Sequence, residues 1–196
     1  MRADATSAAD IARVFDDLDV RGAAPDVVLY NASFRTRGPL VDLDPADVSR
    51  ALMITAFGAF VVCQQAARRM VTRGHGTILL TGASASVKGY TQSAPFAMGK
   101  FALRGLAQSM ARELSPQGIH VAHFVIDGGI RSAARSEPAD RLDSMLDPAA
   151  IALLSWNVPP HPPSPWPWAL CLRPWVGQFL PRSIRSTLPA IAATPL

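Results

Sequence analysis

The chain has 196 residues, 49% hydrophobic and 17% charged, which indicates one folded domain rather than a disordered chain. Its net charge of +4 comes without a dense Lys/Arg face carrying stacking aromatic residues, which argues against nucleic-acid binding. Two isolated cysteines favour neither a disulfide framework nor a metal site. Without a signal peptide, and with residues 52–63 too short to span a bilayer, we expect a cytoplasmic protein and no membrane segment.

The N-terminal part predicts a helix and then a strand. Residues 8–18 carry apolar side chains at helical spacing, and Thr6 or Ser7 precedes them as a cap. Residues 26–30 form an apolar run that is typical of a buried parallel strand. The strand ends in Asn31, Ala32 and Ser33.

A long helix and a strand–helix–strand unit follow. Asp44 and Pro45 suit the N-cap and first turn of a helix that ends before Gly74. Residues 77–81 predict a buried strand, a helix runs from Pro95 to residue 114 after Ser93 as N-cap, and residues 119–126 predict the next strand. This order is that of a βαβ unit, so the sequence predicts an α/β fold with a parallel sheet.

The C-terminal part changes character. Residues 131–147 are polar and suit a mobile loop over a cleft, and Asp147 starts a short helix to about Trp156. Ten of the 17 prolines and all four tryptophans lie after residue 154. We therefore expect a main domain over residues 1–156 and a Pro/Trp-rich arm over 157–196. Within that arm the sequence predicts a last strand at 169–175 and disorder from residue 181.

The central stretch resembles the core of the short-chain dehydrogenase/reductase family. The resemblance rests on the strand, a turn of small residues, Lys100 early in the next helix, and the letters GIHV entering the following strand. It implies a Rossmann-like parallel sheet with flanking helices. The family's Gly-x-x-x-Gly-x-Gly turn is not found in the chain, and Met1 aligns near the family's third strand. We therefore expect an atypical, N-terminally truncated member that lacks the first β-α-β-α half.

The resemblance also implies a catalytic site. The family uses a Ser after the strand and a Tyr four residues before the Lys, and those positions hold Ala83 and Phe96 here. Lys100 matches the family, and Ser84 lies one residue from the Ser position. Thr55 replaces a relay Asn, although its hydroxyl has the alternative of bonding a backbone carbonyl one turn back. Two further candidates for the missing acid are left open: Tyr90 in the connecting loop, and Ser93 at the position where related enoyl reductases place their Tyr.

The implied cofactor is NAD or NADP, with weak or absent binding expected because the phosphate-binding turn is missing. By the resemblance, Asp4 contacts the adenine, and Asn31 and Ala32 lie against the adenosine half. Lys100 and Ile130 belong to the nicotinamide end. Asn31 has the alternative of simply capping the strand end.

Two functions follow from these patterns. The first is an NAD(P)-dependent oxidoreductase acting on a small carbonyl or alcohol, with low activity because Phe96 and Ala83 carry no hydroxyl. The alternative is a non-catalytic interaction or regulatory subunit that dimerises through the helices at 44–73 and 95–114. A homo-oligomer is expected in either case, because an edge strand at 26–30 exposes apolar surface. The Pro/Trp-rich arm is a third candidate, as a partner-binding segment.

Overall fold

A computed structural model describes residues 1–159 and 166–176. Its main sheet has four parallel strands in the order β1-β2-β3-β6. They are β1 (Val27–Tyr30), β2 (Gly76–Thr81), β3 (Ile119–Ile126) and β6 (Ala169–Leu172). The predicted α/β fold with a parallel sheet and flanking helices is therefore confirmed.

Five α-helices are described around this sheet. They are α1 (Ala8–Val20), α2 (Pro45–Leu52), α3 (Gly58–Arg73), α4 (Ala94–Leu114) and α5 (Pro148–Asn157). A π-helical turn, Met53–Phe57, joins α2 to α3, so the predicted long helix is continuous from Pro45 to Arg73. Gly74 ends it with a left-handed φ of 73°, a conformation that glycine adopts without steric cost.

Each predicted residue occupies the N-cap position of its helix, and three of the four caps make a side-chain hydrogen bond. Ser7, Asp44 and Asp147 each accept a hydrogen bond from a backbone N–H in the first turn of α1, α2 and α5. Ser93 occupies the cap position of α4 without a side-chain hydrogen bond to the helix. Its hydroxyl is turned into the protein instead, where the residue is 1% exposed.

Alternating side chains of the central strands divide the core into two clusters. Ile78 and Leu80 of β2 pack with α1, α3 and α4, whereas Leu79 packs with Phe124 and Leu172 on the other face. Every residue of β3 is buried because the strand lies inside the sheet and is covered on both faces. The long apolar runs in the sequence reflect this double coverage.

The strand predicted at residues 26–30 differs from the expectation of a buried strand. Only Tyr30 of β1 is buried, while Leu29 is 51% exposed. Among the described strands β1 pairs only with β2, so it forms an edge of the sheet. Exposed apolar side chains on an edge strand favour association, in line with the expected oligomer.

The region after β3 folds back over the carboxyl edge of the sheet. Two short strands, β4 (Gly129–Ile130) and β5 (Met145–Leu146), pair in parallel and fix both ends of the polar loop at 131–147. The predicted last strand is present as β6, shorter than expected because Arg173 and Pro174 follow it without strand structure. The predicted disorder from residue 181 lies outside the described residues, and the division at residue 156 stays a prediction.

One described helix, Pro45–Arg73, is long and apolar enough to cross a membrane by length and composition alone. Of its most apolar window, 33% is buried in this fold. Core helices of folded domains meet the same criterion, so this property is weak evidence for a membrane segment.

Candidate active site

A cleft of about 620 Å³ opens at the carboxyl ends of β1, β2 and β3. In open α/β sheets this edge is where ligands bind. Seven of the residues that the sequence singled out line it together: Asn31, Ala83, Ser84, Tyr90, Phe96, Lys100 and Ile130. Four others, Asp4, Ala32, Thr55 and Ser93, are not among the lining residues.

Lys100 projects from the first turns of α4 and is 3% exposed. Its Nζ donates a hydrogen bond to the carbonyl oxygen of Thr81, at the end of β2, over 2.7 Å. Burial lowers the pKa of Lys100 from 10.5 to about 8. The side chain is therefore mostly charged at neutral pH, and its pKa lies only slightly above neutral pH.

Phe96 lies one helical turn before Lys100 and its ring is only partly buried. The Nζ of Lys100 lies 5.7 Å from the ring centroid, and the Cζ of Arg35 lies 4.7 Å from it. Both distances are within the range of cation–π attraction. The side chain at the position of the family's proton donor is thus a stacking surface that has no proton to transfer.

The turn after β2 is held by a buried polar contact. Ser86 accepts a hydrogen bond from the backbone N–H of Ala83 over 3.1 Å, and its Oγ lies 3.4 Å from Nε2 of His123. His123 is fully buried, and this burial lowers its pKa to about 4, so it is neutral at pH 7. Ser84, in the same turn, lines the cleft and is the hydroxyl nearest in sequence to Ala83.

Thr55 is buried in the π-helical turn, where its Oγ1 accepts a hydrogen bond from the backbone N–H of Phe34 over 3.4 Å. The expected bond from its hydroxyl to a carbonyl one turn back is not seen; the loop after β1 supplies the partner instead. The Thr55 side chain also lies directly against Gly99 of α4. Its observed contacts are therefore structural, joining two helices and a loop.

Asp4 is also placed away from the cleft. Its carboxylate accepts hydrogen bonds from the backbone N–H and the hydroxyl of Thr6, both over 2.8 Å. These bonds lower the pKa of Asp4. Ala32 is exposed between Asn31 and Ser33, which both line the cleft.

Tyr90 supplies the phenol of the cleft. The sequence has two tyrosines, and Tyr30 is buried in β1 with its hydroxyl donating to the carbonyl of Ile54. Burial raises the pKa of Tyr30 to about 12. Tyr90 lines the cleft at 44% exposure, whereas the alternative Ser93 is buried and does not.

The cleft is also lined by three arginines that the sequence reasoning did not single out: Arg35, Arg37 and Arg135. Arg35 and Arg37 follow the end of β1, and Arg135 lies in the loop between β4 and β5. Arg35 and Arg37 could have been found from the sequence, because they follow the carboxyl end of a predicted strand. Asp127 also lines the cleft, but its carboxylate is paired with Arg173 over 2.8 Å. Within the described ranges, no group of three His, Cys, Asp or Glu side chains is arranged to hold a metal.

Comparisons with known proteins show what this chain is similar to. A family model described as enoyl-(acyl carrier protein) reductase matches residues 1–162. A 3-oxoacyl-[acyl-carrier-protein] reductase, MabA of Mycobacterium avium, is 27% identical over 151 residues, which is 77% of this chain and 57% of the relative. Across three curated relatives, the chain spans 37% to 57% of their length.

Solved structures extend the similarity to the fold. A short-chain dehydrogenase from Rhodopseudomonas palustris has a TM-score of 0.74 and 31% identity, covering 88% of this chain and 72% of its own. A gluconate 5-dehydrogenase from Burkholderia cenocepacia J2315, in complex with NADP and tartrate, has a TM-score of 0.64 and 27% identity. That match covers 70% of this chain and 55% of the other.

Proposed function

The chain belongs to the short-chain dehydrogenase/reductase family, and from this premise we propose that its cleft binds NAD or NADP beside a small carbonyl or alcohol substrate. We further propose that hydride transfer there is slow, because the family's proton donor is missing. The single observation that carries the second statement is the position of Phe96 in the cleft beside Lys100.

The chemistry explains why this replacement matters. Hydride transfer to a carbonyl leaves an oxyanion that must receive a proton, and general acid catalysis contributes typically about 10² to 10⁴ in rate. Neither Phe96 nor Ala83 has a hydroxyl. Of the groups that line the cleft, Ser33, Thr81, Ser84 and Tyr90 carry hydroxyls, and Lys100 carries an acidic ammonium whose pKa is about 8.

Cofactor binding is supported by the site and by the relatives. The cleft lies at the sheet edge where dinucleotides bind in α/β folds, and the dehydrogenase from Burkholderia cenocepacia holds NADP. Asn31 and Ile130 line this cleft at the positions that match the family's cofactor contacts. We expect weak binding, because the sequence contains no Gly-x-x-x-Gly-x-Gly turn to anchor the pyrophosphate at a helix N-terminus.

Two measurements test these statements separately. Titration of NADH and NADPH, followed by nicotinamide fluorescence, tests binding; we expect saturable binding of at least one. Nicotinamide absorbance in the presence of simple alcohols and ketones tests turnover. We expect no steady change above that of a Lys100→Ala variant.

The outcomes have distinct meanings. Absence of binding contradicts the cofactor assignment, whereas a clear rate above the Lys100→Ala control contradicts the slow proton transfer. In the second case Tyr90→Phe and Ser84→Ala test whether either of these two hydroxyls supplies the proton.

A second candidate function, a non-catalytic subunit, is favoured by the exposed apolar surface of the long helices. Phe60 of α3 and Phe101 of α4 are 44% and 47% exposed. An apolar groove of about 580 Å³ lies between these helices, with Ala67, Leu106 and Met110 among its lining. A second copy of the chain would cover this surface. Because a homo-oligomer is expected of the enzyme as well, the test of this candidate is a dimer that forms without dinucleotide and shows no turnover.

A further inference from the structure

The cleft collects positive charge from arginines that form no ion pair within the described residues. Arg35, Arg37 and Arg135, here called the arginine cluster, all line it. No ion pair joins any of them to a carboxylate of residues 1–159 or 166–176. The buried Lys100 adds a further cation to the same cleft.

Some arginines elsewhere on the protein form ion pairs. Arg13 and Arg21 of α1 each pair with an aspartate one helical turn away. Arg69 of α3 pairs with both Asp16 and Asp19. What distinguishes the arginine cluster is not the lack of an ion pair, which an exposed residue such as Arg112 shares, but the convergence of three such side chains on one cleft.

The members of the arginine cluster also lie close enough to repel one another. Partial burial lowers the pKa of Arg35, and the positive charges of Arg37 and Arg135 lower it further. Such convergence of like charge is unfavourable and is relieved when an anion binds. The one carboxylate of the lining, on Asp127, already neutralises Arg173.

Two contacts hold Arg35 and the loop that carries Arg35 and Arg37 beside Phe96 in the cleft. The guanidinium of Arg35 stacks on the ring of Phe96, 4.7 Å from its centroid. The loop that carries Arg35 and Arg37 is fixed by a hydrogen bond from the backbone N–H of Gly38 to the carbonyl of Gln92, over 3.3 Å. Gln92 adopts a left-handed φ of 57°, which is unusual for a residue other than glycine.

We propose that the arginine cluster binds an oxyanion, a carboxylate or a phosphate, on the small molecule that shares the cleft with the dinucleotide. The ligand is thus an acid rather than a neutral alcohol or ketone. Guanidinium groups suit this role because their planar N–H donors match the two oxygens of a carboxylate or phosphate. Phe96 has a positive function here: its ring positions Arg35.

This inference rests on the proposed function, which places a dinucleotide in the same cleft. Binding of the anion itself requires no dinucleotide. The first test is therefore calorimetry at low salt with succinate and with inorganic phosphate as separate probes. The variant is the triple change Arg35→Gln, Arg37→Gln and Arg135→Gln. Arg112→Gln is the control, because Arg112 is exposed and lies about 18 Å along α4 from Lys100 at 1.5 Å per residue.

We expect the wild type and Arg112→Gln to bind one of the two probes equally well, and the triple variant to bind it at least tenfold more weakly. The stronger probe then identifies the ligand as a carboxylate or a phosphate. Failure of the wild type to bind either probe overturns the inference. Equal binding by the triple variant overturns it as well.

A second pair of variants tests the role of Phe96 without removing charge. Phe96→Tyr keeps the aromatic ring and is expected to keep the affinity for the probe. Phe96→Leu keeps an apolar side chain but loses the ring, so the affinity is expected to fall about threefold, in line with a modest exposed cation–π contact. Equal affinity of both variants contradicts the positioning of Arg35 by stacking.

A last arm separates the substrate from the cofactor. NADH is titrated into protein saturated with the better probe. Binding of both together supports a separate anion site, and displacement of the probe by NADH overturns it. If NADH does not bind while the probe does, the proposed cofactor function fails and the arginine cluster remains an anion site.

Discussion

Replacement of Lys100 by Met should remove a pH-dependent penalty on the stability of the fold. In the unfolded chain the ammonium of Lys100 has a pKa of 10.5, and burial lowers the pKa in the folded protein to about 8. One pKa unit corresponds to 1.36 kcal/mol, so burial of the charged form costs about 3 kcal/mol. Above pH 10.5 both states are neutral at this residue and the penalty is absent. As the pH falls to 8 the unfolded state takes up the proton first, and the penalty develops fully.

Two other groups titrate in this range with the opposite effect. Burial raises the pKa of Cys63 and of Tyr30, each to about 12, so each destabilises the fold as the unfolded side chain ionises at high pH. Because both are present in the wild type and in Lys100→Met, their contribution cancels in the difference between the two proteins. That difference is the quantity to measure.

The assay is urea unfolding followed by tryptophan fluorescence, at half-unit steps from pH 7 to pH 10.5. The free energy of unfolding of the wild type minus that of Lys100→Met should rise by about 3 kcal/mol across this window. Met is chosen because it is unbranched and apolar, so it fills the same space without a charge. Two curves that stay parallel over the whole range would refute the burial of a charged Lys100.

Two further predictions concern packing and association. Gly82→Ala should lower the free energy of unfolding by about 1–3 kcal/mol, because the added Cβ would overlap the ring of His123 and lie 2.7 Å from the carbonyl oxygen of Phe124. Gly89→Ala is the control, since its Cβ would meet nothing within 4 Å, and it should change the free energy of unfolding by less than about 0.5 kcal/mol. Urea titration measures both. Phe60→Glu should shift the protein from dimer to monomer in light scattering. Val20→Glu is the control, because Val20 is also apolar but 88% exposed, and this variant should remain a dimer. A monomeric wild type would contradict the expected dimer.

Much of the fold was predictable from the sequence because local signals and tertiary packing agree. Asp44 with Pro45 and Asp147 with Pro148 mark helix starts by their own chemistry, since a carboxylate and a missing N–H both suit a first turn. The apolar run of β3 predicts a strand covered on both faces. Ser93 occupies the N-cap position of α4, but its side chain is buried and makes no capping hydrogen bond, which no local pattern reveals.

The candidate site was predictable only in part. Positions at the ends of strands, such as Asn31 and Ser84, converge because the carboxyl ends of parallel strands share one edge. Thr55 was placed by alignment alone, and its hydroxyl proved to bind the loop at Phe34. Arg135 was missed because a polar loop carries no signal of where its side chains converge.

The most direct test of the account is equilibrium binding of NADH and NADPH to the wild type and to Ala83→Trp. Ala83 lines the cleft, so a large side chain there should obstruct it, whereas Ala149→Trp on the exposed start of α5 is a matched control. The account predicts saturable binding of one dinucleotide per chain, lost in Ala83→Trp and unchanged in Ala149→Trp. Equal binding by all three proteins would place the dinucleotide elsewhere, and absence of binding to the wild type would contradict a cofactor site in this cleft.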